Sequence, residues 1–213
     1  METIKTDVLV IGAGPAGLTA ACLLARLGVD ALTLTKYGTA DAPRAHITNQ
    51  RAVEIFRDLG VEDKVKERAL PHHLMGKQVF ATSFAGRELS RMMTWGTGDD
   101  RIGEYRSASP TEMCNIGQHV LEPILLDRAR ELGADLRQHR EVLSVTQDDD
   151  HVTARVRPRN GDPEFDVVAR YAVGCDGGRS VVGRDGDFAY DREQSLGDAI
   201  TVWIEADLAR YTA

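Results

Sequence analysis

Cysteine is scarce in this sequence, and neither a long apolar run nor a stripe of like charge is present. Three cysteines occur among 213 residues, Cys22, Cys114 and Cys175. Their number is odd, they lie far apart and none forms a C-x-x-C pair, which argues against a disulfide framework and a zinc site. A reducing, cytoplasmic compartment fits. His72 and His73 follow Pro71 without a third ligand, the pattern of an exposed turn, so no metal is expected. No stretch approaches the ~20 apolar residues of a membrane span, and Met1–Thr6 has no apolar signal segment. Lys and Arg total 26 against 33 Asp and Glu, a formal net charge of −7. The cations are scattered among acids, so the footprint of a nucleic-acid partner is missing.

What is present reads as an ordinary folded chain. A 42% hydrophobic and 28% charged composition is close to the globular average, and the length allows one large domain or two small ones. Asp7–Ile11 is a continuous apolar run ending in glycine, as in a strand buried on both faces. Gly14–Leu27 then reads as a helix, with Ala16, Ala20, Leu23, Leu24 and Leu27 recurring at helical spacing, Cys22 on the packed face and Gly28 as the stop. Ala31–Thr35 completes a βαβ unit.

Gly12-Ala13-Gly14-Pro15-Ala16-Gly17 matches G-x-G-x-x-G between that strand and that helix, the context a dinucleotide fingerprint requires. Gly12 permits the tight turn, Gly14 leaves room for a pyrophosphate, and Gly17 lets helix and sheet pack closely. The unpaired amides of the helix N-terminus hold the phosphate charge. An acidic residue about 20 positions beyond the motif normally accepts a ribose hydroxyl. This chain has Thr35 and Lys36 there; Thr35 is expected to take that hydrogen bond and Lys36 to lie against the adenosine.

Further along, Thr48 or Asn49 can cap a helix running to Leu59, and Val61–Ala69 forms a shorter one. Lys77–Met93 reads as two strands joined at Phe84–Arg87, with Gly86 available for a positive φ. Gln118–Leu132 is an amphipathic helix with Val120, Leu121, Ile124, Leu125, Leu126 and Ala129 inward. Alternating runs at Glu141–Thr146, Val152–Val156 and Phe165–Ala169 read as an antiparallel meander. Tyr171–Cys175 reads as a last buried strand, and Ala199–Ala206 as the start of another. Trp95 and Trp203 are expected to be core or interface anchors.

Three more segments accompany the glycine loop: Pro43-Arg44-Ala45-His46 with Asn49-Gln50-Arg51; Gly117-Gln118-His119-Val120-Leu121-Glu122; and Val173-Gly174-Cys175-Asp176-Gly177-Gly178-Arg179-Ser180. Together, in this order, they resemble the group A flavoprotein monooxygenases, in particular the branch of phenol and chlorophenol hydroxylases. The resemblance implies an α/β fold: a Rossmann-type FAD-binding domain with an antiparallel β meander and the beginning of a β-sheet substrate domain. It divides the chain into residues 1–72 and 106–184 for FAD, and 73–105 and 185–213 for part of the substrate domain. The implied cofactor is FAD, held by Gly12, Gly14, Pro15, Ala16, Gly17, Thr35, Lys36, Arg44, Gln118, Asp176 and Gly177. The implied partners are NADPH or NADH as co-substrate, O2 and a phenolic ring, with room for a homo-oligomer. Family members are considerably longer and carry a later G-D motif that also cradles FAD.

A phenol is more nucleophilic without its proton, so a base beside it would help. His46 is the candidate, at the place where related phenol hydroxylases have an acidic residue; the alternative is a hydrogen bond within the loop beside Arg44. Arg106 either faces the active site or is solvated. Two other function classes stay open: a different flavoenzyme on the same scaffold, although no W-x-W-x-I halogenase signature is present, and an FAD-binding module without turnover.

Overall fold

The computed structural model describes residues 2–189, 202 and 204–212. A six-stranded sheet organises the chain, in the order β8-β2-β1-β11-β10-β9. Its strands are β1 (Thr3–Ile11), β2 (Ala31–Leu34), β8 (Asp135–Arg137), β9 (Arg140–Gln147), β10 (Val152–Pro158) and β11 (Phe165–Gly174). β1 runs parallel to β2 and β11, β2 runs parallel to β8, and β9-β10-β11 form the expected antiparallel meander. The helices are α1 (Pro15–Arg26), α2 (Gln50–Asp58), α3 (Glu62–Arg68), α4 (Ile102–Ala108), α5 (Gln118–Glu131), α6 (Val181–Asp185) and α7 (Ala209–Thr212). Two-residue strands β3 (Ile47–Thr48), β4 (Leu70–Pro71) and β7 (Cys114–Asn115) make a small sheet with β7 central. β5 (Lys77–Ala81) and β6 (Glu88–Met93) pair as a separate hairpin.

One core cluster lies between α1, α2, α3 and α5, and a second between the parallel strands and the meander. α1 buries Leu18, Ala21 and Cys22, whereas Ala16 and Leu27 are exposed. Apolar residues almost encircle this helix, so spacing alone permits more than one inward face, and packing against α5 selects the one through Cys22. Cys22 and Cys114 are buried, and loss of solvation pushes both thiols up to about 11. An acid held neutral by the fold stabilises it fully below the ordinary thiol range, and that contribution is lost as the unfolded chain ionises first. Stability should therefore fall between the ordinary thiol range and about pH 11, and less steeply in Cys22→Ala once its packing loss is subtracted, as urea melts against pH would show.

Several expectations are corrected. Tyr171–Cys175 is no separate strand: β11 is continuous, its first half pairing with β10 and its whole length with β1. Nor is that segment fully buried, since Tyr171 is 62% exposed. Gly86 has no positive φ; a Cβ there would crowd the Thr82 and Ser83 hydroxyls and stand 2.9 Å from the Ser83 amide nitrogen, so close approach rather than φ favours glycine in the turn. His72 is not in an exposed turn but is buried, with its Nε2 2.6 Å from the Trp95 carbonyl. Trp95 itself is 41% exposed, at a positive φ of 58°. Of the strand expected at Ala199–Ala206, residues 202 and 204–206 are described and are not in a strand, and the remainder, with Trp203, lies outside the described residues. Among the described residues no helix is long and apolar enough to cross a membrane.

Candidate functional site

The glycine loop sits where β1 meets β11. Gly12 leaves β1 with φ +101°, and its amide donates to the Leu34 carbonyl at 2.8 Å. A Cβ on Gly12 would stand 2.2 Å from the Cys175 carbonyl oxygen, and one on Gly17 would stand 1.9 Å from the Gly12 carbonyl oxygen. Both glycines are therefore required by the chain's own packing. Gly14 differs. Its φ of −73° and ψ of −174° suit any residue, and a Cβ there would meet nothing nearer than Glu122 Oε1, at 3.8 Å. Gly14 is the N-cap of α1 and no side chain caps that end, while Pro15 occupies the first turn. The first turn of α1 therefore has no side-chain cap, the positive end of the helix dipole lies behind it, and the space beside Gly14 is open, a cradle suited to phosphate.

α5 supplies the facing wall. Gln118 begins this helix, and its Nε2 donates to Glu122 Oε1 at 2.6 Å, one helical turn on. The other carboxylate oxygen, Glu122 Oε2, accepts from the Ala40 amide at 2.5 Å. Glu122 is 3% exposed, so this carboxylate orients Gln118 and ties the loop after β2 to α5. Sequence reasoning left Glu122 out of the site. An acid among Leu121, Leu125 and Leu126 on the buried stripe was the available signal.

The loop carrying Arg44 is held against the same helix. The Gln118 amide donates to the Ala45 carbonyl at 2.9 Å and the Ile116 amide to the His46 carbonyl at 2.7 Å. Gln50 Nε2 donates to the carbonyls of Tyr105 and Thr111, which secures the start of α2 behind this loop. Arg44 and His46 are exposed, and His46 Nδ1 lies 3.1 Å from Asn115 Oδ1. Arg106 pairs with Glu112 at 3.3 Å on the surface.

Asp176 follows β11 directly beside Gly12, with its amide 2.8 Å from where a Gly12 Cβ would be. Its carboxylate turns inward: it accepts from Ser180 Oγ and the Val181 amide, each at 2.6 Å, and from the Val182 amide at 3.4 Å. Gly177 has φ +79°, which lets the chain turn there. The acid organises the start of α6 beneath the loop. At the end of β2, the Thr35 carbonyl accepts from the Arg140 amide. Lys36 is drawn to Glu141 at 2.7 Å, and this pairing raises the lysine above its usual range. Lys36 and Arg157 together hold the Glu141 carboxyl below the usual carboxylate range. Gly12, Gly14, Pro15, Ala16, Gly17, Gln118, Asp176 and the Arg44 loop thus converge on one end of the sheet, whereas the Lys36 ammonium is committed to Glu141.

Residues 5–213 match the family model described as FAD binding domain. The chain belongs to that family. The open face at Gly14, the uncapped α1 terminus and the exposed Arg44 fit a diphosphate-bearing cofactor, which is what an FAD binding domain requires. The chain is 45% identical to the 2,4-dichlorophenol 6-monooxygenase of Delftia acidovorans, over 98% of its own length and 36% of that protein. It is 43% identical to the phenol 2-monooxygenase of Pseudomonas sp. (strain EST1001), over 99% of its own length and 33% of that protein. The flavin-dependent monooxygenase PieE, solved in complex with FAD and substrate, superposes with a TM-score of 0.92 at 46% identity, covering 98% of this chain and 36% of PieE. This FAD binding domain chain therefore spans about a third of the length of the relatives it matches.

Proposed function

We propose that this chain binds FAD as the N-terminal portion of a monooxygenase that hydroxylates a phenolic ring with O2 and NADPH or NADH. The observation that carries the reading is the cradle at Gly14, where nothing in the protein's own packing demands glycine and a phosphate would occupy the space a Cβ takes. The FAD-binding part comprises residues 1–72 and 106–184. Residues 73–105 and 185–213 begin a substrate domain, a division supported by the separate β5-β6 hairpin with its exposed Val79, Phe80, Leu89, Met92 and Met93. Gly12, Gly14, Pro15, Ala16 and Gly17 bind the diphosphate through backbone and dipole, Arg44 adds a guanidinium, and Gln118 presents its amide from the opposite wall. Asp176 and Gly177 shape the floor. Thr35 and Lys36 stand at the adenosine end, with Lys36 acting through its pair with Glu141.

Hydride acceptance and oxygen activation are chemistry that FAD supplies when bound. The protein's part is to orient the ring, exclude water and manage a proton. His46 takes the proton of the phenol hydroxyl, which makes the ring a stronger nucleophile at the carbon that receives oxygen. A second reading, a module that holds FAD without turnover, needs only the cradle at Gly14 and no step at His46.

The purified chain should be yellow, with about one FAD per chain, and phenols should accelerate its consumption of NADPH or NADH with matching hydroxylated product. A yellow protein without product would establish the second reading. A colourless chain that cannot be reconstituted would overturn both. In a turnover-competent preparation, His46→Gln should lower hydroxylation by roughly a hundredfold, the usual contribution of a positioned base.

A further inference from the structure

The bond between His46 and Asn115 joins residues 69 apart in sequence, and the backbone brings them together. β7 is the middle strand of the small sheet, with Asn115 opposite Ile47 on β3 and opposite Leu70 on β4. The Ile116 amide also donates to the His46 carbonyl at 2.7 Å. The chain next to both side chains is thus fixed before they meet, with Nδ1 and Oδ1 3.1 Å apart.

We propose that Asn115 is a positioning residue that holds the His46 ring in its Nδ1–H tautomer and so leaves Nε2 as the proton acceptor. The inference rests on the assignment of His46 as the base. An amide oxygen only accepts, so the hydrogen of this bond belongs to Nδ1. Neutral imidazole carries a single N–H, and Nε2 then presents a lone pair. A carboxylate in place of Asn115 would orient the ring equally well but would also stabilise the imidazolium, which has no lone pair to offer. A neutral amide sets the tautomer without that penalty. If the amide were reversed, with its NH2 toward the ring, Nδ1 would be the acceptor and Nε2–H would face the substrate, so the two arrangements predict opposite chemistry.

Long-range proton–nitrogen NMR of the FAD-reconstituted chain, at a pH where the rings are neutral, distinguishes them directly. Six histidines contribute, and His46→Gln identifies the signal. The expected spectrum has a pyrrole-type Nδ1 and a pyridine-type Nε2 for His46. Asn115→Asp should keep that tautomer, whereas Asn115→Leu should shift the ratio about fivefold toward Nε2–H, the effect of losing one ordinary hydrogen bond. A wild-type His46 carrying its proton on Nε2 would overturn the proposal with no variant needed, as would an unchanged ratio in a folded Asn115→Leu chain. If His46→Gln retains full hydroxylation while the tautomer responds to Asn115, the assignment of the base fails and the role of Asn115 in setting the tautomer stands.

Discussion

Gly14→Ala leaves the chain folded and weakens FAD binding at least tenfold, whereas Gly17→Ala costs a large share of the folding free energy. The two glycines lie in one motif, yet they answer to different neighbours. At Gly17 a methyl would stand 1.9 Å from the Gly12 carbonyl oxygen and 3.2 Å from Cys175 Cβ. Neither obstacle can withdraw, because the Gly12 amide is bonded to the Leu34 carbonyl and the Cys175 amide to the Ile11 carbonyl. Relief would require lifting α1 from the sheet, which exposes Leu18, Ala21 and Cys22. A loss above about 4 kcal/mol is expected, against a typical total of about 5–15 kcal/mol. At Gly14 the nearest atom to a new methyl is 3.8 Å away, and the cost is that of a poorer N-cap, about 1 kcal/mol. On the proposed reading the methyl instead takes the space a phosphate would fill. Urea denaturation and flavin fluorescence titration of both variants provide the check; Gly14→Ala binding FAD like the wild type would sink the cradle reading.

Glu122→Ala should lower stability by about 3 kcal/mol and FAD affinity by more than tenfold. The side chain is 3% exposed and accepts from the Ala40 amide and from Gln118 Nε2. Its removal leaves two donors without an acceptor in a place water hardly reaches, and bonds to a charged acceptor are each worth about 1.5–3 kcal/mol without being fully additive. The loop after β2 then loses its tie to α5, and Gln118 loses its orientation toward Gly14. Glu122→Gln keeps one carbonyl oxygen and should cost about half as much. Denaturation midpoints and FAD titration of the pair test this; an alanine variant as stable and as tight as the wild type would show that the carboxylate is dispensable.

How far each element could be read from the sequence follows from how local its cause is. The glycine loop, α1, α5 and the meander show themselves through period and spacing, which depend on residues within a few positions. Asn49 stands at the expected cap of α2, and its side chain accepts from the Ala52 amide at 2.9 Å. The two-residue strands β3, β4 and β7 are too short to have a period, and the seven residues of α4 bury none of their side chains and so carry no apolar stripe. Leu27 shares the helical spacing yet is 75% exposed, because α1 is apolar on more than one face and only α5 decides among them.

The sequence by itself determined the βαβ unit and the place of the glycine loop, since glycine spacing and apolar runs are properties of the chain alone, and its four ordered motifs carried the family resemblance. Only the tertiary structure decided that Gly12 and Gly17 serve packing while Gly14 serves space. It alone showed that Asp176 turns its carboxylate inward to α6, that Lys36 is held by Glu141, and that Glu122 and Asn115 stand behind Gln118 and His46. Each of these depends on a partner brought near by the sheet order or by β7, and a hydrogen bond has an angular and distance requirement that no sequence interval expresses.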